Sequence, residues 1–223
     1  MSLLAPDAPC GDPAFALSAD QVATVLDLVC QGADGARSDV STGMLEVPTT
    51  VIVRKAMRRV KKSLGLTNLQ IRGEHEIDDM ATTDPGILGR IDVTLQFLHQ
   101  FGNEDAFVAI ECKRVQAGNT SLNYKYVSEG VERFASSKYG VGHQWGFMLG
   151  YVLGVPVETI TDYIDGRLKA VYGADAAMVS ETPHPKSLAV HRSALKRSTG
   201  GDIHLKHIFV DMICAAPAGG SLS

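Results

Sequence analysis

Hydrophobic positions recur with two periods along the chain, and the alternation between those periods predicts its elements. Ser18 and Gln21 have capping-box spacing, and Val22, Val25, Leu26 and Val29 repeat with helical period, so a helix is expected over 18–32 with Gly32 as its stop. A second helix is expected over 48–64, opening on Pro48, carrying Ile52, Ala56, Met57, Val60 and Leu64 on one stripe and ending at Gly65. The period then drops to two. Leu69, Ile71, His75 and Ile77 alternate with Gln70, Arg72, Glu74 and Glu76, and Ile91, Val93, Leu95 and Phe97 alternate with Asp92, Thr94 and Gln96. The stretch 78–89, with Pro85-Gly86 inside it, reads as a loop. After the Gly102-Asn103 turn, a short apolar strand over 107–113 ends in charge and forms a hairpin with the strand before it.

Helical period returns over 123–139, with Val127, Val131, Phe134 and Ala135 facing inward. A buried-type strand follows over 144–153, and then a helix from Pro156 with Ile160, Ile164, Leu168 and Val171 on one face. Two strands close the pattern, over 188–195 and 203–213, around Gly200-Gly201. The expected class is α/β: a mixed central sheet flanked by helices, with a C-terminal helix and strand hairpin. Residues 1–17, with three prolines, read as a loose arm, 18–214 as one domain, and 215–223 as a flexible tail.

Composition narrows this picture without changing it. A length of 223 residues suits one core, and 45% hydrophobic with 21% charged residues excludes a mostly disordered chain. A net charge of −4 argues against a wholly basic nucleic-acid coat. The longest apolar run, 145–155, falls far short of the roughly 20 residues of a membrane span. No basic segment followed by an apolar core stands at the N-terminus, so no secretory leader is expected. Cys10, Cys30, Cys112 and Cys214 are scattered without a CxxC pair, which fits reduced thiols in a cytoplasmic protein.

The chemistry concentrates at the predicted hairpin. Asp92 opens one strand, and Glu111, Cys112 and Lys113 close the other. Period two places Glu111 and Lys113 on one face, and pairing around the turn brings Asp92 beside Glu111. Two carboxylates on adjacent strands suit a hard cation such as Mg²⁺, and a lysine one step further can act on an attacking water. The same residues also allow a plain structural reading, an ion pair of Glu111 with Lys113 or Arg90. Charges ending an apolar strand favour the chemical one.

At these residues the chain resembles the PD-(D/E)XK nuclease superfamily, which has the restriction-endonuclease-like fold. That signature is an acid on one strand and (D/E)-x-K on the next, within an α-β-β-β-α-β core, and the resemblance spans about 44–153. Ile91 stands where the family often has proline. The resemblance implies metal binding by Asp92, Glu111 and the backbone carbonyl of Cys112, with Lys113 acting on the water. It implies Mg²⁺ as cofactor, with Mn²⁺ as its substitute, and a glutamate on the first core helix, for which Glu46 is the best match. The expected function is that of an endonuclease, a phosphodiester hydrolase acting on DNA, as a homodimer or a subunit of a larger complex. The Gly130, Arg133, Phe134, Tyr139 pattern is similar to bacterial nuclease-like proteins of antiviral defence, and Arg133 is the candidate substrate contact there. The alternatives are a catalytically silent member of the fold that binds nucleic acid or a partner, and an unrelated α/β protein with a chance charge cluster.

Helical spacing gathers Arg54, Lys55, Arg58, Arg59, Lys61 and Lys62 on a broad basic face, either solvated or tracking a phosphate backbone, with Arg54, Arg58 and Lys62 as the nucleic-acid candidates. The histidines form no metal set by spacing, since His204 and His207 face opposite sides of a strand. Cys112 reads as a small core residue rather than a nucleophile.

Overall fold

The first helix, α1, begins on a satisfied cap. In the computed structural model, which describes residues 15–78, 87–139, 142–197 and 199–213, Ser18 Oγ accepts from the Gln21 N–H at 3.2 Å and Gln21 Oε1 accepts from the Ser18 N–H at 2.9 Å. The helix spans Ala19–Ala36 and passes through Gly32 instead of stopping there. The reason is packing. A Cβ on Gly32 would lie 2.3 Å from Met57 Cγ and 3.1 Å from the Met57 backbone, so this glycine lets α1 and α2 (Glu46–Ser63) approach closely. Gly32→Ala is therefore expected to destabilise the fold by about 1–2 kcal/mol, because overpacking outweighs the gain in helix propensity. Urea unfolding measures it, and an unchanged or raised midpoint would contradict the packing argument.

The α2 helix starts two residues before Pro48, whose missing N–H falls in the first turn, where it has no intrahelical partner to lose. Its buried face is Thr49, Thr50, Val53, Ala56 and Met57. The expected stripe is thus rotated. Ile52 and Val60 are half-buried and Leu64 is exposed, because α2 must face both α1 and the sheet.

Seven strands form one mixed sheet. In chain order they are β1 (Leu69–Asp78), β2 (Ile87–Phe97), β3 (Val108–Val115), β4 (Trp145–Val152), β5 (Val179–Glu181), β6 (Ala189–Leu195) and β7 (Ile203–Asp211). Their order across the sheet is β1-β2-β3-β4-β7-β6-β5. The pairs β1/β2, β2/β3, β6/β7 and β5/β6 are antiparallel, whereas β4 runs parallel to both β3 and β7. Residues Gly146 to Val152 of the central β4 are all buried, which accounts for its unbroken apolar run. The loop expected over 78–89 is shorter, since β2 starts at Ile87 and pairs through Gly89 with Ile77. The short strand β5 has no sequence signal of its own and adds to the expected β6/β7 hairpin.

Each sheet face carries a core. On one, α1 and α2 bury Leu28, Met57, Leu95, Ile110 and Phe147. On the other, the helical segment before β4 and helix α5 (Val157–Tyr172) bury Tyr126, Phe134, Ile160, Leu168 and Phe209. Each such side chain contributes about 1.5–3 kcal/mol by leaving water. The helix expected over 123–139 is instead α3 (Thr120–Lys125), a π-helical stretch over Tyr126–Val131, and α4 (Glu132–Ala135). It starts early because the Asn119 side chain caps it, accepting from the Leu122 N–H. It ends early at Ser137, which takes a left-handed φ of 59°.

Of the expected arm and tail, residues 1–14 and 214–223 lie outside the described residues. Phe15 packs on the His143 ring and Leu17 on the first core. No helix among the described residues is long and apolar enough to cross a membrane. Cys30 and Cys112 are buried free thiols, and Cys10 and Cys214 lie outside the described residues.

Candidate active site

The site forms where β2 and β3 part. Their ladder pairs Leu95 with Val108, Thr94 with Ala109 and Val93 with Ile110, and then stops. Asp92 stands one step beyond, beside Glu111. Its Oδ2 accepts the Cys112 N–H at 2.8 Å, so a carboxylate takes the place of a backbone partner and is fixed by it. Period two holds on β3. Glu111 and Lys113 share a face, and Lys113 Nζ donates to Glu111 Oε1 at 2.8 Å.

Three oxygens converge on that ammonium. Lys113 Nζ also donates to Glu46 Oε1 at 2.8 Å and to the Cys112 carbonyl at 3.1 Å. Glu46 is the first residue of α2, so its position at the helix entrance is what lets it reach across to β3. Its Oε2 accepts from the Arg114 N–H at 3.2 Å. Glu111 is fully buried, Lys113 nearly so, and Glu46 is half-buried.

Arg133 meets this cluster from α4. Its Nη1 lies 2.9 Å from Glu111 Oε1 and 3.1 Å from Oε2, and it also donates to the Arg90 carbonyl. The π-helical turn aims it there. Gly130 makes the approach possible, since a Cβ on it would lie 2.5 Å from Met148 Cε and 3.4 Å from Lys113 Cγ. The Tyr139 hydroxyl completes the corner, bonded to Arg133 and the Arg90 carbonyl. Arg133 is thus a partner of Glu111. The ion pair considered with Arg90 is not formed, because Arg90 pairs with Glu76 at 3.0 Å and lies 3.8 Å from Glu74.

Electrostatics follow from burial. Desolvation pushes the Glu111 carboxyl up to about 7, Asp92 adds to the rise, and Lys113 and Arg133 oppose it. Burial also raises Asp92, against the pull of Lys113. For Lys113, burial alone works downward, but Glu111, Glu46 and Asp92 together lift it above the ordinary lysine value. Burial raises the Cys112 thiol far above its usual range, with Asp92 adding to it, which removes it as a nucleophile.

The donors fit a hard cation. Glu46, Asp92, Glu111 and the Cys112 carbonyl are all oxygen ligands, and three of them already converge on one positive charge. Among the described residues no three His, Cys, Asp or Glu side chains close into a ready-made metal cage. The arrangement is a cation cradle with an ammonium in it.

The basic stripe divides in two. Arg58 donates to the Ile71 carbonyl at 3.0 Å, and with Lys61, Lys62 and Arg72 it lines an open groove of about 560 Å³ between α2 and edge strand β1. Arg54 instead lies against Gly73 of β1 and lines a small separate pocket that Asp92 also lines. Outside the site, His204 and His207 face opposite sides of β7. His207 is buried between Tyr126 Oη at 3.0 Å and Ser193 Oγ at 2.8 Å, and burial lowers it to about 3. Sequence reasoning marked Tyr139 only as part of the Gly130–Tyr139 pattern, without a role in the site, and missed Arg114, since a backbone N–H leaves no periodic signal. Comparison with family models, with curated proteins and with solved structures finds nothing that matches the chain.

Proposed function

We propose that this chain is a metal-dependent nuclease with the restriction-endonuclease-like fold of the PD-(D/E)XK superfamily, cutting phosphodiester bonds, first of all in DNA. The observation that carries the reading is the convergence of Asp92, Glu111, Lys113 and Glu46 where β2 and β3 separate. The order α2-β1-β2-β3-α3/α4-β4, with β4 parallel to β3, supports the fold assignment. The similarity of the α4 region to defence proteins suggests foreign DNA as the target.

Asp92, Glu111 and the Cys112 carbonyl, with Glu46 beside them, would hold a divalent cation such as Mg²⁺, which neutralises phosphate charge and acidifies water. The chain's own residues do the rest. Asp92 is held by the Cys112 N–H, and Glu111 by Arg133, so neither carboxylate can swing away. With no metal bound, the carboxylates around Lys113 lift its pKa and keep it protonated. Its amine stands beside the oxygens that would hold the cation, where it can orient the attacking water and the charged phosphate. The Arg58–Lys62 groove receives the backbone.

Supercoiled plasmid incubated with the pure chain should be nicked and linearised with Mg²⁺ or Mn²⁺ and left intact with EDTA. Absence of cutting on duplex DNA, single-stranded DNA and RNA with either metal would overturn the enzyme reading. It would favour the silent nucleic-acid binder, for which the ammonium already seated among the oxygens is the supporting observation. Arg58→Gln combined with Lys62→Gln is expected to weaken DNA binding in EDTA and to reduce the salt slope by up to about two. Fluorescence anisotropy across a salt series checks this, and an unchanged slope would mark the groove as solvated surface.

A further inference from the structure

Beside Asp92, α2 and the β1/β2 pair enclose a small pocket of about 40 Å³ lined by Thr50, Arg54, Glu74, Arg90 and Asp92. Resting on the nuclease reading, we propose that this pocket seats one phosphate of the nucleic-acid backbone next to the cleavage centre, with the Arg54 guanidinium as its ligand.

Three independent features build it. First, Arg54 lies flat on β1 at Gly73, where a Cβ would fall 1.5 Å from its Nη1 and 2.1 Å from its Cζ. Only a glycine leaves room for the guanidinium there. Second, Arg54 Nε and Nη1 are sealed from water and take no hydrogen-bond acceptor. Buried guanidinium donors are normally paired, and to gain an acceptor these two must turn off Gly73 into the pocket. The neighbouring cation does not share this lack, because Arg90 is engaged by Glu76 and Glu74. Third, Glu74 lies between the Gly73–Val93 and His75–Ile91 pairs with a φ of 52°. A non-glycine residue in the left-handed region is strained, and here the strain opens the strand directly across from Asp92.

The missing acceptor is an oxyanion rather than a carboxylate of the chain. Asp92 Oδ2 is taken by the Cys112 N–H, and Glu74 lies nearer to Arg90, at 3.8 Å, with no hydrogen bond to Arg54. A phosphate oxygen matches the planar fork of arginine, and the pocket admits one such group but no base or sugar. The Asp92 charge repels a phosphate, so the seat fills best with a divalent cation present. Arg54 then differs from Arg58 and Lys62. Those hold the backbone along an open groove, whereas Arg54 fixes one phosphate relative to the reacting centre and so bears on turnover.

The test uses the full chain, inorganic phosphate as probe and thermal melting in Mg²⁺ at constant ionic strength. Millimolar phosphate should raise the melting temperature of the native protein by a few degrees. It should not raise that of Arg54→Gln, nor that of Gly73→Ala, which keeps every charge but displaces the guanidinium. Lys169→Gln on α5 controls for lost charge and should respond as the native chain does. Without phosphate, Arg54→Gln should melt no lower than the native chain, since it removes sealed unpaired donors. Its DNA cleavage rate at saturation should fall about ten-fold or more, with Arg54→Lys restoring little for want of the fork. A phosphate response retained in Arg54→Gln, or absent from the native chain, overturns the subsite. If the native chain cuts DNA and Arg54→Gln cuts it equally fast, the subsite falls and the nuclease reading stands. If phosphate protects through Arg54 but no metal supports cutting, the subsite stands and the nuclease reading falls.

Discussion

Replacing Asp92 with asparagine, or Glu111 with glutamine, should each lower plasmid cleavage by about a hundred- to a thousand-fold, the scale seen when one preorganised electrostatic group is lost from a reacting centre. The two carboxylates act as one unit, joined electrostatically across β2 and β3. The double variant is therefore expected to lose little more than either single one. Losses that are modest and multiply would show two independent surface acids and remove the site. The amide variants separate chemistry from folding. The amide of Asp92→Asn retains an oxygen to accept the Cys112 N–H, so this variant should keep native stability. Asp92→Ala leaves that N–H without its acceptor and should cost about 1–3 kcal/mol in urea unfolding. An inactive asparagine variant with a native unfolding midpoint, beside an inactive alanine variant with a lowered one, is the expected pattern.

The site is legible in the sequence because its parts lie on two strands whose alternation is clean. Once Val93 pairs with Ile110, the count alone puts Asp92 beside Glu111. The helix ends are less legible for a physical reason. Glycine marks a helix stop by its freedom at positive φ, but it also marks close approach, and Gly32 and Gly130 are of the second kind. Nothing local distinguishes the two cases, because Met57 and Met148 lie far off in sequence. The same holds for Arg133, which the resemblance marks as a substrate contact and which pairs with a carboxylate 22 positions away. Helical spacing makes the basic run on α2 a single face. Its division into a groove and a pocket arises from Gly73 on β1, which no helical periodicity contains.

Lys113 should prove the most costly residue to remove for stability as well as activity. It is the ammonium that faces both Glu111 and Glu46 at 2.8 Å, and Glu111 is fully buried. Lys113→Met preserves the stem along Gly130 and deletes the charge. The buried Glu111 carboxylate then keeps only the partly exposed Arg133 as its counter-charge, at a cost of up to roughly 3–5 kcal/mol. Its pH dependence carries a definite sign. Glu111 already has a folded value near 7, above the 4.5 of a free glutamate, so the fold binds the extra proton between those values. Its contribution therefore weakens stability as pH rises through 7 and is relieved as pH falls. Without Lys113 the folded value climbs further, and the gap between variant and native stability should be wide at pH 8 and narrow toward pH 6. Adding Glu111→Gln to Lys113→Met removes the stranded charge and should recover most of the loss at pH 8, while cleavage stays absent. Urea unfolding of the native chain, the single variant and the double variant at both pH values decides it. A pH-independent deficit that the double variant does not relieve would mean that Lys113 stabilises by packing alone, and that the oxygens around it are not a cradle for positive charge.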